Sequence, residues 1–258
     1  GETGAMLGKL LEMEGVEHHL VRLEGRTRFN TTVVEGRRWT SLRGVGPQVE
    51  AAQVAELERQ VQAALGGASV LVMAGSLPPG MPADFYARQV RAARRLGVKV
   101  LLDGAGEPLR LGVEEKPDLI KPNLAEAEEL LGRRLVGTLE VARAARELTA
   151  RGIGAVVVSL GADGAVCARG GRLWTVRPPK VERRSTVGSG DSMVAGLAAT
   201  LAANLLLEEG LALAAAAGAA TAMNPGTARG EAAQIARLMP QVRVEPLELP
   251  DERAAPPA

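Results

Sequence analysis

The chain has 258 residues, 46% of them hydrophobic and 24% charged, enough to bury a core and too apolar for a disordered chain. Its 31 basic and 30 acidic residues leave a formal net charge of +1, which supplies no field of one sign to recruit nucleic acid or a membrane surface. A single cysteine, Cys167, excludes an intramolecular disulfide framework and leads us to expect a cytoplasmic protein.

The sequence opens on Gly1-Glu2-Thr3-Gly4 and passes at once into helical spacing over 5–14, as though a fold had already begun. His18 and His19, the only histidines, lack metal-ligand spacing and are assigned to the surface. Residues 27–44 alternate and turn at Glu35-Gly36, which predicts a hairpin, followed by a helix over 48–65. This hairpin lies outside the later strand–helix alternation and is expected to project as a small lid. A lid with an apolar face and no core of its own is expected to pair two copies of the chain.

From Ala68 the pattern becomes strand, polar turn, helix. Val70-Leu71-Val72-Met73 ends in Gly75-Ser76, and a helix over 82–96 follows. Val98–Leu102 ends in Asp103; Leu119-Ile120 ends in Lys121-Pro122-Asn123, where a helix over 124–131 begins; Ala155–Val158 ends in Ser159-Leu160-Gly161. Short apolar runs alternating with helices predict βαβ units and a parallel sheet buried on both faces. Ligands of such sheets bind beyond the carboxyl ends of the strands, where Ser76, Asp103, Asn123, Ser159 and Gly161 fall. Each alone reads as a turn or cap residue; five on one edge point to a site.

Residues 164–178 alternate around Gly170-Gly171, predicting an antiparallel hairpin that contains Cys167, a small buried side chain. Gly188-Ser189-Gly190 then opens a long helix near Asp191. Glycines there let successive amides converge, and the helix start adds partial positive charge, which suits a transferring phosphoryl group. Asp191 in the first turn is placed to accept a proton from an attacking alcohol. A second helix is predicted around Leu211–Met223, too short to span a bilayer. The Pro/Ala/Glu-rich tail, 246–258, is expected to fray.

These stretches resemble, in order, the signature elements of the PfkB (ribokinase-like) carbohydrate kinases. Val187-Gly188-Ser189-Gly190-Asp191 is similar to the family's D-T-V-G-A-G-D element, Lys121–Glu126 to K-P-N-x-x-E, and Ser159–Gly164 to S-L-G-A-D-G. Gly75–Gly80 and Thr27-Arg28-Phe29-Asn30 resemble the phosphosugar branch, which contains 1-phosphofructokinases, tagatose-6-phosphate kinases and minor 6-phosphofructokinases. The resemblance implies a ribokinase-like three-layer αβα sandwich with a small β lid, a kinase domain over 1–245 and a homodimer formed through the lid. It also implies ATP and Mg2+ as cofactors and a phosphosugar as substrate, fructose 1-phosphate first, with tagatose 6-phosphate or fructose 6-phosphate as alternatives. Asp191 would be the base and Gly188, Ser189 and Gly190 the anion hole. Ser159, Gly161, Gly164 and Asn224 would line the nucleotide site, with Asn123 and Glu126 placing nucleotide and metal. Arg28, Asn30 and Ser76 would meet the phosphosugar.

Ser185 and Ser189 depart from the family pattern without removing the amides. The family's first strand, with its sugar-binding aspartate, and its G-G-K-G-x-N segment have no counterpart in this sequence. A catalytically silent nucleotide- or sugar-binding fragment is therefore the second reading. A dinucleotide-dependent oxidoreductase fails for want of a G-x-G-x-x-G between a first strand and its helix.

Overall fold

A computed structural model describes residues 1–35 and 38–250. Helix α1 (Glu2–Met13) is followed by the antiparallel pair β1 (Asn30–Glu35) and β2 (Arg38–Arg43), then α2 (Ala51–Leu65). The strand–helix series runs β3 (Val70–Ala74), α3 (Phe85–Arg95), β4 (Lys99–Asp103), α4 (Gly106–Glu114), β5 (Leu119–Ile120), α5 (Leu124–Leu131), α6 (Gly137–Ala150) and β6 (Ala155–Ser159). It closes with the hairpin β7 (Ala165–Arg169) and β8 (Arg172–Arg177), helices α7 (Ser189–Ala203), α8 (Leu207–Ala222) and α9 (Ala232–Leu238), and β9 (Arg243–Pro246).

Strands β3 to β9 form one sheet in sequence order; β3 to β6 run parallel, and β7, β8 and β9 are added antiparallel. Alternate residues of each strand face opposite layers. Val100, Leu102, Ile120, Val156 and Val158 pack with α2, α3, α4 and α6 on one face. Leu101, Leu119, Ala155, Val157 and Cys167 pack with α7 and α8 on the other. This is the three-layer αβα arrangement expected, with the β1–β2 hairpin outside the large sheet.

The α7–α8 pair approaches closely because its facing residues are small. A methyl group on Gly196 would sit 2.7 Å from the Ala214 Cα, and one on Gly218 3.1 Å from the Ser189 carbonyl oxygen. That contact sets the start of α7 against the body of α8.

The tail departs from expectation. Pro246 closes β9, which pairs with β8, the Leu247 amide donates to the Leu173 carbonyl at 2.9 Å, and Leu247 and Leu249 pack against the core. Two apolar side chains and a free edge on β8 hold residues 246–250 in place; 251–258 lie outside the described residues. So does Gly36 of the lid turn. The helix expected from Leu211 begins a turn earlier at Leu207, where Glu208 and Glu209 suit the positive end of the helix dipole.

Candidate active site

The carboxyl ends of β3 to β6 meet the amino end of α7 on one edge of the sheet. Beyond β5 the chain turns into α5 through Lys121-Pro122-Asn123. Asn123 caps the helix: its Oδ1 accepts from the Glu126 amide at 3.0 Å, and Glu126 Oε2 accepts from the Asn123 amide at 2.8 Å. This exchange leaves Asn123 Nδ2 and Glu126 Oε1 without a hydrogen bond among the described residues. The adjoining β6 is tied to the same turn, since the Ser159 amide donates to the Pro122 carbonyl at 2.9 Å.

Beneath this turn lies a buried ion pair. Lys121 Nζ stands 3.2 Å from Asp103 Oδ1, with side chains 5% and 15% exposed. Burial pushes the Asp103 carboxyl above its usual range and Lys121 draws it back, while nearby Asp191 raises it further. Burial likewise pushes Glu126 upward, against the hydrogen bond from Asn123.

The anion loop is built by glycine geometry at one point. Gly188 adopts φ +78° as the residue before α7, a conformation that L side chains rarely hold. The buried Ser185 supports the loop by accepting the Val187 amide on Oγ at 3.2 Å, and its own amide reaches the Ala222 carbonyl at 3.2 Å. Of the three amides assigned to the anion hole, that of Ser189 is directed to the Thr186 carbonyl at 3.3 Å. The amides of Gly188, Gly190 and Asp191 have no partner among the described residues, as expected for a helix start. Asp191 is the third residue of α7 and exposed. Lys121 Nζ comes within 3.9 Å of where a Cβ on Gly190 would lie, so a buried cation underlies the loop.

A cleft of about 460 Å³ opens beside the loop, between the β6–β7 turn and α8. Ser159, Gly161, Gly164, Ser189 and Gly190 line it. Gly164 has φ +94°, and a methyl group there would overlap the Val176 carbonyl oxygen. Asn224 does not line the cleft: its Nδ2 donates to the Arg229 carbonyl at 2.8 Å and the Ala220 carbonyl at 3.3 Å, bracing the turn after α8.

On the β3 side, Arg28 Nη2 donates to the Ser76 carbonyl at 3.2 Å, so two of the three expected phosphosugar contacts meet. Asn30 is engaged at the lid base, where its Oδ1 accepts from the Gly44 amide at 3.2 Å. Tyr86 donates to the Ala74 and Gly75 carbonyls at 3.1 and 2.9 Å, fixing the turn that carries Ser76.

The sequence places Asp103 among the polar strand ends and Lys121 in the Lys121–Glu126 stretch, but gives neither a role. Their place at the ends of two adjoining parallel strands was the available signal. Lys180 and Arg183 also line the cleft; the sequence marks Arg183 only as half of the basic pair Arg183-Arg184, which reads as a solvated face, and Lys180 carries no local signal.

Comparison with known proteins agrees with this arrangement. The profile of the pfkB family carbohydrate kinases matches residues 1–233. A 1-phosphofructokinase of Rhodobacter capsulatus is 39% identical over 235 residues, 87% of this chain and 72% of that protein. The ATP-dependent 6-phosphofructokinase isozyme 2 of Escherichia coli is 36% identical over 231 residues, 88% of this chain and 74% of that protein. A crystal structure of phosphofructokinase-2 from Escherichia coli in complex with potassium superposes with a TM-score of 0.87 at 33% identity, covering 93% of this chain and 79% of that one. With its ordered motifs on one sheet edge and a family profile matched over most of its length, the chain belongs to the pfkB family of carbohydrate kinases.

Proposed function

We propose that this chain transfers the γ-phosphoryl group of ATP to a hydroxyl of a phosphosugar, with fructose 1-phosphate the preferred acceptor. The observation that carries the reading is the position of Asp191. It stands in the first turn of α7 beside the open amide of Gly190, next in sequence to the cleft-lining Ser189 and Gly190, and near enough to Asp103 at the end of β4 for its charge to act there. The acceptor hydroxyl gives its proton to the Asp191 carboxylate as its oxygen bonds to phosphorus. The bond from phosphorus to the ADP oxygen breaks, and ADP leaves. Transfer of this kind is largely dissociative, so the acceptor need give up its proton only late in the reaction. The open amides of Gly188 and Gly190, with Lys121 beneath, receive the charge on the phosphoryl oxygens. Arg28 offers a guanidinium to the acceptor's own phosphate.

Glu126 and Asp103 are the carboxylates that would hold magnesium. Two half-buried oxygen ligands, with no cluster of three acidic, histidine or cysteine side chains among the described residues, suit an ion bound largely through phosphates and water. When bound, magnesium neutralises charge on the nucleotide phosphates. Two copies of the chain are proposed to meet through the lid, whose Phe29, Val33 and Leu42 are 63%, 51% and 58% exposed. A cytoplasmic setting fits the lone buried thiol of Cys167, which burial pushes up to about 12.

Fructose 6-phosphate is the second reading, because the chain is 36% identical to the Escherichia coli 6-phosphofructokinase isozyme against 39% to the Rhodobacter capsulatus 1-phosphofructokinase. A coupled assay of ADP release with fructose 1-phosphate, fructose 6-phosphate and tagatose 6-phosphate separates the readings. The highest kcat/KM is expected with fructose 1-phosphate. Release of ADP that no sugar phosphate stimulates would remove the kinase proposal.

A further inference from the structure

At the anion-loop end of the α7–α8 contact, two hydroxyls meet across the helices. Thr221, 2% exposed in the last turn of α8, shares a hydrogen bond with Ser192, their Oγ atoms 2.7 Å apart. The same Thr221 oxygen accepts the Gly230 amide at 2.9 Å, and its methyl lies 3.8 Å from where a Cβ on Gly188 would stand. Thr221 thus lies beside the anion loop while bonded to the first turn of α7 and to the turn after α8. This is not the usual use of a helical threonine, which bonds a carbonyl one turn back in its own helix. Thr200, at the other end of the same helix pair, does that: its hydroxyl donates to the Gly196 carbonyl at 2.8 Å. The hydroxyl of Thr221 is spent outside its own helix.

The start of α7 has little else to hold it through side chains. No side chain caps the helix, Ser189 Oγ has no partner, and Asp191 makes no hydrogen bond among the described residues. Of the polar side chains in this turn, Ser192 alone is anchored. Small-residue packing at Gly196 and Gly218 sets how near the helices lie, but a directional bond is what sets the rotation of the turn. Successive residues of an α-helix point about 100° apart around its axis. Pinning Ser192 to α8 therefore fixes the direction in which Asp191 projects.

Resting on the kinase reading above, we propose that Thr221 is a positioning residue for the base. Through Ser192 it holds the first turn of α7 in the rotation that aims Asp191 at the acceptor hydroxyl. It is buried and acts through Asp191, so it governs the transfer step and leaves substrate affinity alone.

Thr221→Val keeps the side chain's shape and removes the hydroxyl, whereas Thr221→Ser keeps the hydroxyl and removes the methyl. The coupled assay gives kcat and both KM values, and circular dichroism gives Tm, for these variants, for Ser192→Ala, and for Thr200→Val as a buried-hydroxyl control. Thr221→Val is expected to lower kcat roughly ten- to hundredfold, the scale of a small misplacement of a reacting group, with both KM values within about twofold. Ser192→Ala should lower kcat likewise, Thr221→Ser should restore it to within about twofold of the parent, and Thr200→Val should lower Tm without lowering kcat. The decisive comparison places Thr221→Val in the Asp191→Asn background. Residues that act as a unit are not additive, so no further loss of kcat is expected there. An undiminished kcat in folded Thr221→Val overturns this inference alone, as does an equal loss in Thr200→Val or a full further loss on top of Asp191→Asn. If Thr221→Val does not fold, Ser192→Ala carries the same test, by itself and in the Asp191→Asn background. Preserved activity in Asp191→Asn, or no transfer to any sugar phosphate by the unsubstituted protein, overturns the kinase reading of Asp191 and this inference with it.

Discussion

Replacing Lys121 with Met tests whether the buried Asp103–Lys121 pair underlies the site. The pair is 3.2 Å apart and its side chains are 5% and 15% exposed, so neither charge has water to fall back on. Removing one partner of such a pair typically costs about 3–5 kcal/mol, because the other is left buried and uncompensated. Asp103 can escape part of that penalty by taking a proton, since burial and Asp191 already push its carboxyl upward. The low end, about 3 kcal/mol at pH 7, is therefore expected. At about 2–4 °C per kcal/mol for a chain of this size, Tm should fall by roughly 6–12 °C in a circular dichroism melt. The deficit should shrink as pH falls, because a carboxyl held above its usual range takes its proton sooner on acidification. Adding Asp103→Asn removes the stranded charge and should restore at least half of the loss. A deficit below about 1 kcal/mol, or one that Asp103→Asn leaves untouched, would mean that the pair is solvated and that Lys121 matters only as packing.

Asp191→Asn should keep Tm within a few degrees, because no side-chain cap bond is lost and the charge near the helix start is worth only about 0.3–1 kcal/mol. Its kcat should fall by roughly 10²–10⁴, and preserved activity would reduce Asp191 to a helix residue. Arg28→Ala should raise KM for the phosphosugar roughly tenfold to a hundredfold with KM for ATP unchanged, since a charge-assisted contact contributes about 1.5–3 kcal/mol; equal effects on both would place Arg28 elsewhere. Gly164→Ala should destabilise by more than about 1 kcal/mol, because its φ of +94° and the Val176 carbonyl both oppose a methyl group; a neutral result in urea unfolding would contradict the geometry. Glu126→Gln keeps the capping exchange with Asn123 and removes a charge that burial disfavours. A carboxyl raised on folding contributes stability below its unfolded pKa and loses it as pH rises through the folded one. The variant's Tm should thus exceed the parent's by a degree or two at pH 7, with the gap closing near pH 4; a gap of opposite sign would refute this.

Much of the site was legible because its signals are local. Apolar runs such as Val98–Leu102 and Ala155–Val158 are continuous because a parallel strand is buried on both faces, and the polar residue ending each run marks the ligand edge. The cradle at Gly188 was readable because a positive φ and a helix start demand particular residues at neighbouring positions. Asn123 and Glu126 were readable as a pair for the same reason, three residues apart on one helix.

Other features depend on contacts between residues far apart in the chain, and no local pattern encodes them. Strand β9 is four residues long and half polar, and the pairing edge of β8 makes it a strand rather than the start of a frayed tail. Asn224 was expected at the nucleotide, yet its Nδ2 donates to the Ala220 and Arg229 carbonyls and to Gln234 Oε1. Lys121 follows the apolar pair Leu119-Ile120 with no acidic partner beside it in sequence; only the neighbouring end of β4, which brings Asp103 to it, makes burying that charge tolerable. Lys180 and Arg183 are two basic residues among 31, and what sets them apart is the wall they line. The sequence by itself determined the layers and the edge that bears the chemistry, because periodicity and turn geometry act within a few residues. Which charges were paired and which were left facing the cleft was decided by packing, because an electrostatic partner is chosen by distance in space.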